Sequence, residues 1–463
     1  MKDSGRREAF DAAVFETALQ SVLQTGKRDY PSYIGGLKVA SGKDRPLLSP
    51  VDSSIRFGTV QEPEEGTADL AAQAAHEAFR TWSAKAPSER AEAVRGIHGM
   101  LEAQRYKMAA TVAVSAGMIG SEALAEADAL LDIVAEALDE HDGVSGKPIG
   151  PWAVITSHSS PLASPMGYAL TAILAGNTAV VMPSKHCPVP AYMVFEICVR
   201  SGLPDGVLNV LVDQRDETQT DLANNELFSG VVVSGTGRSF EEMMFLMVDD
   251  ELRFYNELKG MNPIIVHRPS DMKKAAKDVL DSAFRYAGQG LYSSSKVIVT
   301  ADDRNRLLDA ILEQVKGLCI TDPLEADAFS GPLISADAGA EFGELVKRVS
   351  GGTVYGGQPV VSEFTGNGVY VTPLIVTGLD EEAEESYMDF GLPMLYIKAV
   401  ADTDEALEEL VYTECGLSVG VYSRDRELID RVKAEADAPL MFVNESSRGL
   451  APGIHARIGN FLR

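Results

Sequence analysis

Reactive side chains in this 463-residue sequence gather in a few short stretches. In NELKG, Glu257 is a carboxylate that burial in a cleft could tune into a general base, or that could equally be held for structural reasons. In YAGQGLYSSSK, residues 286–296, Ser293, Ser294 and Ser295 offer hydroxyls and Tyr292 reads as packing. A serine becomes nucleophilic only beside a base, and the sequence identifies no His or Lys partner for these three. Cys187, Cys198, Cys319 and Cys415 lie far apart with no CxxC pair, so neither a disulfide framework nor a zinc site is indicated. The thiols are expected to be reduced, and no metal site is expected.

Positioning these groups requires elements that the hydrophobic pattern outlines. Residues 67–115 carry alanine and apolar positions at helical spacing in ADLAAQAAHEAFRTW and SERAEAVRGIHGMLEAQRYKMAATVAV, which predicts two long amphipathic helices, with APSER supplying a break and a serine cap. After residue 150 come short apolar runs, WAVIT, TAVVM, VLNVLV and SGVVVSG, separated by helical stretches such as PAYMVFEICVRSG. Short buried strands alternating with helices predict a doubly wound parallel sheet. A second alternating set, from NPIIV through SKVIVT, RLLDAILEQVKGL, MLYIKAV, EALEELVYTE and SVGVYS to LMFVN, predicts a second α/β domain, with the boundary near YNELKG. The acidic LDEEAEE at 379–385 reads as a solvated turn or helix end.

Acidic residues outnumber basic ones by 68 to 41, and the resulting net charge of −27 disfavours nonspecific contact with nucleic acid or anionic lipid. The opening MKDSGRREAF lacks a signal-peptide core and no run of 18 apolar residues occurs, so a cytoplasmic protein without membrane association is expected.

The segments together resemble the aldehyde dehydrogenase superfamily from LLSPVDSSIRFGTV to LMFVNES. The phrases AAHEAFRTW, LAGNTAVVMP, GLPDGVLNVL, NELKGMNPIIV, YAGQG, DPLEADAFSGPLIS, VYVTPLIV and DFGLPML match in order and spacing, and YPSYIGG is similar to the glutamate-semialdehyde branch. The resemblance implies an α/β fold with a Rossmann-like cofactor-type domain carrying N-terminal helices over 1–256, a catalytic-type α/β domain over 257–440 and a C-terminal tail over 441–463. It also implies that the family's oligomerisation hairpin is reduced to the segment 141–150, so that a monomer or dimer is expected in place of the family's tetramer.

In that family a thiolate attacks the aldehyde, hydride passes to NAD(P), and a glutamate-activated water hydrolyses the thioester. The resemblance places Leu291 at the nucleophile position, 34 residues after Glu257 at the base position, and Ser159 where an Asn amide would stabilise the oxyanion, with His158 beside it. For the cofactor it places Met182 at the ribose lysine, Lys185 at the glutamate that favours NAD, Gly235 at the phosphate turn and Phe240 where a small residue belongs. It puts Met388 at the glutamate of EIFGP, with Phe390 retained. Asp389 is one residue out of register and, in a strand, would point to the other face.

The implied function is a catalytically inactive homologue with a binding, regulatory or structural role toward a small molecule or protein, and no cofactor or, if any, NADP or NAD. Two alternatives stand beside it. One is an aldehyde oxidoreductase with atypical catalysis, for which Cys187 is the nearest thiol by segment. The other is a non-redox enzyme using Glu257.

Overall fold

Alternation of buried strands and helices produces two compact units in a computed structural model, which describes residues 9–25, 27–40, 43–213, 215–236, 252–363, 365, 367–413 and 415–463. The first unit comprises the described residues up to Ser49 with Ser53–Glu257 and Ala451–Arg463; the second comprises Pro50–Asp52 and Leu258–Leu450. The expected division at 256/257 thus falls one residue later. The expected tail over 441–463 is corrected. Leu440–Val443 is a strand paired in parallel with Ser418–Ser423, because its apolar residues complete a sheet edge, and only residues from Ala451 return to the first unit.

The first unit holds a seven-stranded sheet in the order Arg253–Leu258, Gly230–Gly235, Pro151–Thr156, Thr178–Met182, Leu208–Val210, Ser32–Ile34 and Leu37–Val39. Pro151–Thr156 pairs in parallel with neighbours on both sides, so the strand order reverses there. In such sheets the crevice for a ligand lies beyond the carboxyl ends of the strands at this switch point. Pro151–Thr156, Thr178–Met182 and Gly230–Gly235 are buried at every position, which is why they read as continuous apolar runs without alternation.

The helical region departs from expectation in two details. Three helices form, Thr67–Trp82, Pro87–Glu102 and Arg105–Ala116, because the second predicted helix breaks at Ala103 and Gln104. The helix Pro87–Glu102 has Ala86 at its N-cap, so Ser88 lies inside it. Pro87, lacking an N–H, suits the first turn, and the Glu89 carboxylate accepts the Ala86 N–H at 2.9 Å. The segment 141–150 forms no hairpin: Pro148 bridges Leu462, and the backbones of Lys147 and Arg463 exchange hydrogen bonds of 3.1 and 2.8 Å.

The second unit has its own seven-stranded sheet, ordered Thr353–Tyr355, Leu374–Thr377, Met394–Val400, Lys296–Thr300, Ile264–His267, Ser418–Ser423 and Leu440–Val443, parallel except at the first pair. One face packs under Met272–Phe284 and Ala301–Val315, the other under Thr403–Tyr412 and Arg426–Glu435. Asp271, Asp402 and Asp425 cap three of these helices by accepting first-turn N–H groups. Among the described residues no helix is long and apolar enough to cross a membrane.

Candidate functional site

In the first unit the sequence-derived residues collect at the carboxyl ends of the parallel strands, where the switch point predicts a crevice. Ser159 follows the strand Pro151–Thr156 and is almost fully buried. Its hydroxyl donates to Thr236 Oγ1 at 3.2 Å and accepts from Ser157 Oγ at 3.1 Å. The same Ser157 Oγ accepts the Ser159 and Thr236 N–H groups at 3.2 and 3.3 Å. Ser159 is thereby joined to the turn that begins at Gly235, whose φ of +156° is open to glycine. A hydroxyl oriented by this network has its proton already committed, unlike the free amide donor that the resemblance implies.

Met182 ends the strand Thr178–Met182 and is 2% exposed, and Lys185 lies half-buried just after it. His186 meets His158 edge to face at 5.9 Å. Loss of water and the neighbouring His186 push His158 down to about 3, so that it stays neutral and is no proton donor at neutral pH. Phe240 lies outside the described residues.

Glu257 is wholly buried, and both of its oxygens are engaged. Oε1 accepts the N–H groups of Gly453 and Ile454 at 2.7 and 3.2 Å, and Oε2 accepts from Ser164 Oγ and Ser234 Oγ at 3.1 and 3.0 Å. Burial raises its pKa above the usual carboxylate range, and these hydrogen bonds oppose the rise. A general base needs a lone pair facing the proton that it takes. Here the lone pairs face a helix start and the returning C-terminal segment, so the geometry makes Glu257 a clasp for residues 453–454.

A second buried carboxylate, Glu126, escapes a search for catalytic motifs. It accepts from Ser160 Oγ at 3.1 Å and from the N–H groups of Leu162 and Ala163 at 3.3 and 3.1 Å, at the start of the helix Ala163–Ala175. The positive end of that helix dipole suits an anion, yet burial dominates and pushes Glu126 up to about 7. Ser160 Oγ also accepts the Ser164 N–H at 3.1 Å, so Ser160 and Ser164 link the two carboxylates. The signal in the sequence is one acidic residue on the apolar face defined by Ala123, Leu124, Ala127 and Leu130.

In the second unit the corresponding residues precede the strands instead of following them. Leu291 is 3% exposed in the loop before Lys296–Thr300. Asn262, at a φ of +45°, fixes that loop: Nδ2 donates to the carbonyls of Leu291 and Ser293 at 2.9 and 3.1 Å, and Oδ1 accepts the N–H groups of Leu417 and Ser418 at 3.0 and 2.9 Å. Position 291 is therefore rigidly presented, but leucine carries neither a lone pair nor an ionisable proton. The adjacent serines supply no substitute. Ser294 Oγ is buried without a hydrogen-bond partner among the described residues, and Ser295 Oγ donates to the Met261 carbonyl at 3.3 Å.

Lys259 and Asp389 form an ion pair of 2.6 Å with side chains 1% and 4% exposed, and Lys259 Nζ also donates to the Gly288 carbonyl at 3.2 Å. This corrects the expectation for Asp389. Residues 388–390 are not in a strand, so no alternation applies, and Asp389 turns inward to Lys259 while accepting the Gly391 N–H at 2.8 Å. Phe390 packs on the cluster containing Ala287, Leu392 and Met394, with the Arg348 guanidinium 5.1 Å from its ring centre. The structure brings the 288 turn and the 389–390 segment together within this unit. Neither Met388 nor Met182 offers a charged or hydrogen-donating group to a nucleotide, whereas Lys185 carries a cation, and residues 237–240 of the turn that the resemblance assigns to the phosphates lie outside the described residues.

None of the four cysteines is in a disulfide, and Cys187, Cys198 and Cys319 are not activated as a nucleophile would be. Burial pushes Cys187 and Cys198 up to about 12, and burial together with the Asp327 carboxylate raises Cys319. Among the described residues no cluster of His, Cys, Asp and Glu is suited to a metal.

Comparison with known proteins extends this picture over almost the whole chain. A 1-pyrroline-5-carboxylate dehydrogenase of Geobacillus sp. (strain WCH70) is 26% identical over 95% of this chain and 89% of its own length. The 1-pyrroline-5-carboxylate dehydrogenase 2 of Bacillus subtilis (strain 168) is likewise 26% identical, over 95% of this chain and 90% of its own. Among solved structures, a mutant of Thermus thermophilus 1-pyrroline-5-carboxylate dehydrogenase superposes with a TM-score of 0.89 at 24% identity, covering 97% of this chain and 93% of that one. The model of the aldehyde dehydrogenase family matches residues 38–456, nearly the full span of both units, and the chain belongs to that family.

Proposed function

We propose that this protein is a member of the aldehyde dehydrogenase family that does not form a thioester and serves a binding, regulatory or structural role. The observation that carries the reading is Leu291: the loop is held in place by Asn262, and the side chain that it presents is unreactive. The engaged oxygens of Glu257 and the hydroxyl of Ser159, directed at Thr236, support it, since each is turned toward its own unit. The hydrogen-bonded backbones of 147 and 463 support a monomer or dimer, because paired groups offer no free edge to a neighbouring copy.

The test is oxidation of a panel of aldehydes, including glutamate semialdehyde, by the purified chain with NAD and with NADP. No reduced cofactor above the blank is expected, and Leu291→Cys alone is expected to leave the result unchanged, because Met182 and Met388 still lack the cofactor's polar contacts.

A second reading, an NAD(P)-dependent aldehyde oxidoreductase with atypical catalysis, is favoured by the dehydrogenase names of relatives that align with 95% of this chain. It requires cofactor binding. A cofactor at a hundredfold excess over its Kd would stabilise the fold by about 2.7 kcal/mol. A thermal-shift measurement with NAD and NADP decides between the two readings.

A further inference from the structure

We propose that the first unit contains a binding site for a small carboxylate with an apolar body, set between the helix Val189–Arg200, the helix Arg105–Ala116 and the strand Arg28–Tyr30. The site is separate from the residues discussed above and does not depend on the functional reading. It is a cavity of about 150 Å³. That volume is well below the roughly 300–1,000 Å³ of sites for drug-sized ligands and close to a cavity that holds one benzene ring. A dinucleotide is therefore excluded as its occupant.

Its walls are patterned for an anion. Tyr192, Glu196 and Arg200 recur every four residues and so share one face of their helix, as Lys107 and Thr111 do on theirs. Arg28 is ion-paired with Glu196, its guanidinium lying 5.1 Å from the centre of the Tyr30 ring and 6.0 Å from that of Tyr192. Lys107 and Arg200 are exposed and have no ion-pair partner among the described residues. The lining thus sets three cations against one carboxylate, a local positive surplus in a protein whose net charge is −27. Such a surplus within a concave, partly apolar wall focuses attraction on an anion.

The phenols add a second, independent observation. Tyr30 and Tyr192 are 5% and 2% exposed, meet edge to face at 5.2 Å, and neither hydroxyl bonds a described residue. Neither phenol oxygen is among the buried unpartnered atoms, so the two line the cavity as open donors available to a ligand's oxygen atoms. Phe57 and Met193 supply apolar wall for the rest of the molecule. A carboxylate bonded by Lys107, Arg200 and a phenol, with a ring or short chain on Phe57 and Met193, satisfies both halves of the lining.

The experiment is calorimetric titration of the full chain with benzoate, inorganic phosphate and benzyl alcohol. Benzoate is expected to bind once per chain, more weakly as salt rises, and at least tenfold more tightly than benzyl alcohol or phosphate. Charged hydrogen bonds of roughly 1.5–3 kcal/mol correspond to about a tenfold or greater loss on removal, so K107Q/R200Q should weaken benzoate by that factor. Glu196→Gln, which releases Arg28 from its partner, should tighten it. These positions are exposed or half-exposed, and matching near-UV spectra will confirm that the variants are folded. Absence of benzoate binding, equal binding by K107Q/R200Q, or phosphate binding as tight as benzoate would overturn the proposal.

Discussion

Two buried carboxylates in the first unit respond to pH in a defined direction. Glu126 is raised to about 7 from an ordinary value of 4.5. Below pH 4.5 it is protonated whether the chain is folded or unfolded. Between about 4.5 and 7 only the unfolded chain releases the proton, so stability falls as pH rises through that window and levels off above it. The size of the decline is on the order of 3 kcal/mol. Denaturant melts across this range should therefore show declining stability, and Glu126→Gln should flatten the decline. Glu257, also raised, contributes with the same sign. Glu257→Gln separates a clasp from a base: with four hydrogen bonds disturbed, it should lower stability by about 1–3 kcal/mol in urea denaturation.

At the scale of elements, the parts that carry the candidate residues are held by polar groups far apart in sequence. Asn262 ties the loop at 291–293 to the start of the strand Ser418–Ser423, and Asn262→Ala would strand several buried carbonyl and N–H groups. A loss of about 3 kcal/mol or more is expected by chemical denaturation. The Lys259–Asp389 pair holds the 288 turn to the 389–391 segment. Lys259→Met alone leaves a buried carboxylate unpaired and should cost about 3–5 kcal/mol, whereas the double variant with Asp389→Leu should recover most of it. A double-mutant cycle measures the difference, and an additive result would contradict a coupled pair.

Elements also show what is legible in the sequence. The strands WAVIT and TAVVM stand out because burial at every position favours near-continuous apolar runs, and the resemblance puts Glu257, Leu291 and Gly235 in aligned segments. The orientation of Asp389, the pinning role of Asn262 and the burial of Glu126 are not legible. Each depends on a partner 29 or more residues away, which no local periodicity encodes. Ser88 is no cap, despite its residue type, because Pro87 can itself open a helix.

For the whole molecule, a match across residues 38–456 fixes the family, while the side chains at the reactive positions decide whether the family's reaction is possible. Light scattering on the purified chain should give 49.6 kDa or twice that value, because the segment at 147–148 is bridged by the chain's own residues 462–463. A tetramer would contradict that expectation. The most direct test of the central claim is steady-state oxidation of glutamate semialdehyde and simple aldehydes by the purified protein with NAD or NADP. No enzyme-dependent formation of reduced cofactor is expected, because position 291 carries no nucleophile. Saturable turnover proportional to protein concentration would contradict the claim.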